Sequence, residues 1–221
     1  NFEGVGFNYQ AIKDANVQPF LDLLNRPTGG EAYCGGVLFD QTINQPCLHH
    51  FRGYKLIDKP LFNWFDPNEK IEKHLGRLFW CGPLAFHFGH QIADFGSRVL
   101  LSSIDPRHGD LLWVPWKSGS SIANLLTWQK ELLWYLNPGN KKHLFLTKPI
   151  TATELVVIPQ QARMRAAPTK EHLNALGWCE SRISYKKNHS ITYVSRSRFA
   201  ECTSKENLYG AFAAEKYFEQ L

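Results

Sequence analysis

No stretch of this 221-residue chain approaches the roughly eighteen consecutive apolar residues that a membrane-spanning helix needs, so no such span is expected. The longest apolar patches, such as LLWVPW at 111–116, are strand-sized. His-Glu-x-x-His, Asp-x-Asp and Gly-x-Ser-x-Gly are all missing. These absences argue against a zinc protease, a metal-held nucleotide and a serine hydrolase. The five cysteines, Cys34, Cys47, Cys81, Cys179 and Cys202, are an odd set without a C-x-x-C pair. That argues against a zinc ribbon and a complete disulfide framework, while one bridge, for example Cys34 with Cys47, stays open. No RNP-like, helix-turn-helix or Cys/His finger pattern is present, so nucleic acid is not an expected partner.

What is present is a globular composition. Aromatics make up 14% of the chain, with seven Trp and fifteen Phe, and this length is enough to bury a core. The formal charge of +5 is concentrated. Residues 151–200 hold eight Lys or Arg against three Glu, and the remaining 17 basic and 17 acidic residues cancel. A local positive excess suits an anionic partner, with a nucleotide diphosphate as the narrower candidate.

Residues 1–74 are punctuated by Gly, Pro and Asn and read as an irregular N-terminal lobe. Within it, short strands are expected at GVLFD (36–40) and YKLID (54–58), and a helix around Gln18–Asn25. From 75 to 190 strands and helices alternate. RLFWCG, LLWVPW, HLFLT and ELVVIPQ are the expected strands, and Ile122–Leu136 and Thr169–Leu176 the expected helices after the one beginning near His87. Residues 191–221, with ITYVSR as a strand and a closing helix, read as the start of a second, truncated α/β domain. Such alternation predicts an α/β fold, a Rossmann-like parallel sheet with helices on both faces. Ligands of open α/β sheets gather beyond the carboxyl ends of the strands, which puts the helix after RLFWCGP and Ser195–Arg198 on one rim.

In FHFGHQIADFGSRVLLSSI (86–104), His87, His90, Gln91, Asp94 and Arg98 recur at three- and four-residue spacings, opposite an apolar stripe of Phe88, Ile92, Phe95 and Val99. His90 and Asp94 lie one helical turn apart, so the carboxylate can orient the imidazole as a general base. The alternative is a structural imidazole tying its helix to a loop. Arg196, after a strand of alternating apolar residues, has the planar fork that pairs bidentately with phosphate. It is equally able to bridge the strand end to an acidic neighbour. His49, His50, His87, His90 and Asp94 include ligand types for a metal, but without the motifs above no metal and no cofactor is expected.

The same segment resembles the central motif of glycosyltransferase family 61, Asn-Phe-Gly-His followed by an acidic position. Here His87 stands at the Asn position, while Phe88, Gly89, His90 and Asp94 match. Later features agree in order: a helix to Leu136, NPG, the strand ELVVIPQ, then ITYVSRSRF, which resembles the family's strand ending in Ser-Arg, and finally YGAFAAEKYFEQL, which resembles its following helix. The resemblance covers about residues 75–221 and implies half of a GT-B-like architecture in an inverting, metal-independent enzyme. It further implies a nucleotide-sugar donor and a glycan or protein acceptor, with His90 and Asp94 catalytic and Arg196, His87, Ser195 and Arg198 binding substrate. A non-catalytic carbohydrate-binding module of the same fold is the rival reading. The chain starts at Asn1 without Met or a signal-like stretch, and the apolar stripe of Leu208, Phe212, Phe218 and Leu221 runs to the last residue. The expectation is an N-terminal fragment, inactive alone, of a longer enzyme.

Overall fold

The computed structural model describes residues 8–19, 33–34, 36–37, 50–52, 55–56, 58–59, 71–85, 88–115, 122–163 and 166–181. The chain divides into two compact units, 1–183 and 184–221, and everything described belongs to the first. His87, Ser195, Arg196 and Arg198, together with the strand and helix expected in 191–221, lie outside the described residues.

The fold is mixed α/β. Ten strands are described: β1 (Gln10–Gln18), β2 (Tyr33–Cys34), β3 (Gly36–Val37), β4 (Phe51–Arg52), β5 (Lys55–Leu56), β6 (Asp58–Lys59), β7 (Glu72–Leu84), β8 (Asp110–Pro115), β9 (His143–Phe145) and β10 (Ile150–Val157). Six of them form one sheet in the order β3-β1-β10-β7-β8-β9. β10, β7, β8 and β9 run parallel, in keeping with the expected alternation. β1 and β3 are antiparallel additions, so the sheet is mixed and not wholly parallel. Both come from the segment read as an irregular lobe. Gln18 ends β1, so the helix expected around Gln18–Asn25 does not begin there; residues 20–25 lie outside the description.

The sheet is curled, and β7 is the cause. Opposite β10 its register slips between Ala152 and Glu154, and opposite β8 between Trp80 and Gly82. Each slip gives β7 one residue more than its neighbour, a bulge that bends a strand and increases its twist. A glycine with positive φ sits at each: Gly76 at 137° and Gly82 at 84°. Such values are costly for any residue with a Cβ. The curl has a topological consequence. Only residues 146–149 connect β9 to β10, although β8 and β7 lie between those strands in the sheet. The five Cα–Cα steps from Phe145 to Ile150 reach at most about 18 Å, little more than the three strand spacings of about 14 Å to be crossed. Yet Phe145 stands level with Gly82 and Ile150 with Glu72, ten residues back along β7. A flat sheet forbids that path, whereas in the curled one Leu146 and Ile150 meet the same apolar cluster as Ala15, Val17 and Val37.

That cluster, with Leu78, Trp80, Leu112, Val114, Leu155 and Val157, fills the inside of the curl. Phe79, Cys81, Leu111, Trp113 and Val156, of opposite strand parity, point to the other face. There they pack under α2 (Val99–Ile104), α3 (Thr127–Tyr135) and α4 (Lys170–Ser181), which contribute Leu100, Leu133, Ala175 and Cys179. Among the described residues these helices therefore cover one face. Helices on both faces were expected, but the inner face is closed by the curl and by β1.

Candidate functional site

The segment after β7 is not one helix. α1 (Phe88–Ala93) stops at Asp94, a 3-10 turn runs from Phe95 to Arg98, and α2 continues from there. Its orientation reverses the simplest amphipathic expectation. Gln91, Asp94 and Arg98 are buried, whereas Phe88 and Ile92, the beginning of the apolar stripe, are 56% and 46% exposed. Phe95 and Val99 are buried as expected. The polar line faces the body of the protein because the carboxyl ends of the strands there carry backbone groups that need partners.

Those partners are glutamines. Ala85, immediately beyond β7, donates its N–H to Oε1 of Gln91 at 2.6 Å, and its carbonyl accepts from Nε2 of Gln129 at 3.1 Å. Oε1 of Gln129 also accepts the N–H of Leu126, capping the start of α3. Just past β10, Gln160 grips Phe51, its Oε1 accepting the Phe51 N–H at 2.8 Å and its Nε2 donating to the Phe51 carbonyl at 2.9 Å. The same Nε2 donates to the carbonyl of Asp94 at 3.1 Å. Ser97 Oγ donates to that carbonyl as well and accepts the N–H of Gln161. Asp94 is thus held from β10 and from its own turn. Nε2 of Gln91 meets no acceptor among the described residues, a buried donor of the kind that native interiors normally satisfy.

On this support Nδ1 of His90 lies 3.0 Å from Oδ2 of Asp94. The carboxylate is fully buried, and the imidazole is 14% exposed. A carboxylate only accepts, so the ring proton belongs on Nδ1 and Nε2 is the basic nitrogen of the neutral imidazole. The Phe95 ring, with its centroid 6.5 Å from the His90 ring, also has the His50 ring at 6.4 Å. His50 is buried against Trp80 and occupies the space above Gly82. Arrangements of this kind, a base oriented by a buried acid at the carboxyl edge of parallel strands, are suited to taking a proton from a hydroxyl.

No family model, curated protein or solved structure matches this chain. The site is therefore read from its own geometry. His90 and Asp94 are brought together as the spacing indicated. Among the described residues no group of three His, Cys, Asp or Glu side chains converges as for a metal ion. Cys81 offers no nucleophile, since burial pushes its thiol far up, against the opposing pull of the Arg98 charge and of a backbone hydrogen bond at Leu112. Gln91 was placed on the polar line by its spacing but given no role, and Gln160 and Gln129 were not singled out in the sequence. The only signal for those two was position, Gln160 just beyond the end of β10 and Gln129 in the first turn of α3.

Proposed function

We propose that His90 is the general base of a glycosyl transfer, deprotonating an acceptor hydroxyl through Nε2 while Asp94 holds the ring and stabilises its protonated form. The supporting observation is the 3.0 Å contact between His90 Nδ1 and the fully buried Asp94 carboxylate. On this reading the chain is part of an inverting enzyme resembling glycosyltransferase family 61, with a nucleotide-sugar donor and a glycan or protein acceptor. The parallel β10-β7-β8-β9 portion would be its Rossmann-like element, half of a GT-B-like pair. Arg196 would pair with the donor diphosphate, aided by Ser195, Arg198 and His87. The donor-binding half of that family follows the segment resembled, so the assay belongs on the full-length polypeptide.

A second reading draws support from Phe88, which is exposed and meets Trp128 edge-on with ring centroids 5.2 Å apart. Exposed aromatics stack on sugar rings, which a non-catalytic carbohydrate-binding module would also use. A panel of nucleotide sugars with glycan acceptors separates the two. Transfer that falls by about a hundred-fold or more in His90→Ala supports the enzyme. Glycan binding without transfer from any donor supports the module.

A further inference from the structure

At the opposite edge of the sheet from His90, the loops leading into β8 and β9 line an open cavity of about 720 Å³. Cavities of this size hold small ligands. We propose that it binds a phosphate monoester that also bears a planar ring, as a mononucleotide does through its ribose, with the phosphate on Lys141 and Lys142 and the ring against Trp178.

The first support is that the cavity is pre-formed. The Asn137 side chain accepts the Lys141 N–H at 3.0 Å and donates to the Lys141 carbonyl at 2.7 Å. Gly139 donates its N–H to Ser103 Oγ at 2.9 Å, which ties the loop to the end of α2. On the facing loop both carboxylate oxygens of Asp105 are taken by Arg107, at 2.8 and 2.6 Å. Arg77 fixes that loop from β7 by donating to the His108 carbonyl at 3.2 Å.

The second support is charge. The Asp105–Arg107 pair neutralises itself, and the guanidinium is covered by the Tyr9 ring at 3.8 Å. Of the remaining charged groups that line the cavity, Lys141 and Lys142 oppose only Asp110, with His108 beside them. Lys142 is exposed, whereas the Lys141 ammonium donates to the Arg107 carbonyl and lies 4.6 Å from the Phe79 ring centre. Burial lowers the Lys141 pKa from its usual value, with Asp105 and Asp110 pulling it back and Arg107 and Arg77 pushing with the burial. An ammonium held this way gains from an anion that replaces lost water. Ile104, Pro106 and Trp178 supply the apolar wall a ring needs.

The test is calorimetric titration of the chain with AMP and, separately, with inorganic phosphate. AMP is expected to bind more tightly than phosphate and more weakly as salt rises. In Lys142→Glu, an exposed site that leaves folding intact, AMP affinity should drop by about ten-fold or more. Lys141→Gln should act in the same direction. His90→Ala should bind AMP as the parent does. Absence of AMP binding at millimolar concentration, equal affinity for phosphate and AMP, or unaltered affinity in Lys142→Glu would each overturn the proposal.

Discussion

A Cβ at residue 82 would fall 1.9 Å from Nε2 of His50. The glycine and the imidazole occupy one space, and the bulge that curls the sheet is also what admits a buried ring beside Trp80 and Phe95.

Gly82→Ala is therefore expected to destabilise the protein by about 2 kcal/mol or more, from the positive φ and from displacement of His50 together. Urea unfolding measures it. The paired change with His50→Ala should recover the part due to the clash and leave the backbone part, a non-additivity a double-mutant cycle reads directly.

Asp94→Asn keeps the size of the side chain and removes its charge. If Asp94 stabilises a protonated His90, kcat for sugar transfer should fall by about ten-fold or more with KM little changed. Equal loss in both parameters, or none in either, would assign the carboxylate a purely structural role.

His143 supplies a pH dependence. Its Nδ1 accepts from Trp113 Nε1 at 3.0 Å, and burial lowers its pKa to about 4 from the ordinary 6.5. Between those values the unfolded chain binds a proton that the folded one refuses. Stability from this residue is thus complete above pH 6.5 and declines as the pH falls toward 4, by on the order of 3 kcal/mol in all. His172, lowered by burial too, adds in the same direction. Unfolding free energies of the parent and His143→Gln across this range should show a shallower slope in the variant.

Gln160→Ala removes three hydrogen bonds, two of them to Phe51. Amide exchange at Phe51 should accelerate by about ten-fold or more, while exchange in β8 is unaffected.

Ile92→Ser should change stability by about 0.5 kcal/mol or less, as expected for a surface position. A loss of several kcal/mol in thermal unfolding would mean that this face of α1 is covered.

The parallel strands were readable because RLFWCG, LLWVPW and ELVVIPQ are near-continuous apolar runs, the pattern of strands buried on both faces. β1 was not. Its sequence QAIKDANVQ carries Lys13 and Asp14, and its place in the sheet rests on partners far away: Lys13 opposite Glu154, and Asp14 paired with Lys73 at 3.6 Å. The spacing of His90 and Asp94 gave their pairing correctly, since helical geometry is local. It left open which side of the helix faces inward, and hydrophobicity alone points Ile92 the wrong way, because the demand that buries Gln91 arises from Ala85 on another element. Bulges are properties of two strands, so the only mark of the slips in β7's own residues is a glycine at each, Gly76 and Gly82, and neither glycine says which partner is shifted.

The insertion of β10 between β1 and β7 sets a timetable for folding. Asn16 and Thr151, hydrogen-bonded at 2.6 Å, are 135 residues apart, and β7 cannot reach β1 except through β10. During synthesis β1 emerges early and waits for a strand that appears only after β7, β8, β9 and the helices α1 to α3 have been made. Its polar, charge-bearing sequence keeps an unpaired edge soluble during that interval, which an apolar strand in the same position would spend exposed to aggregation.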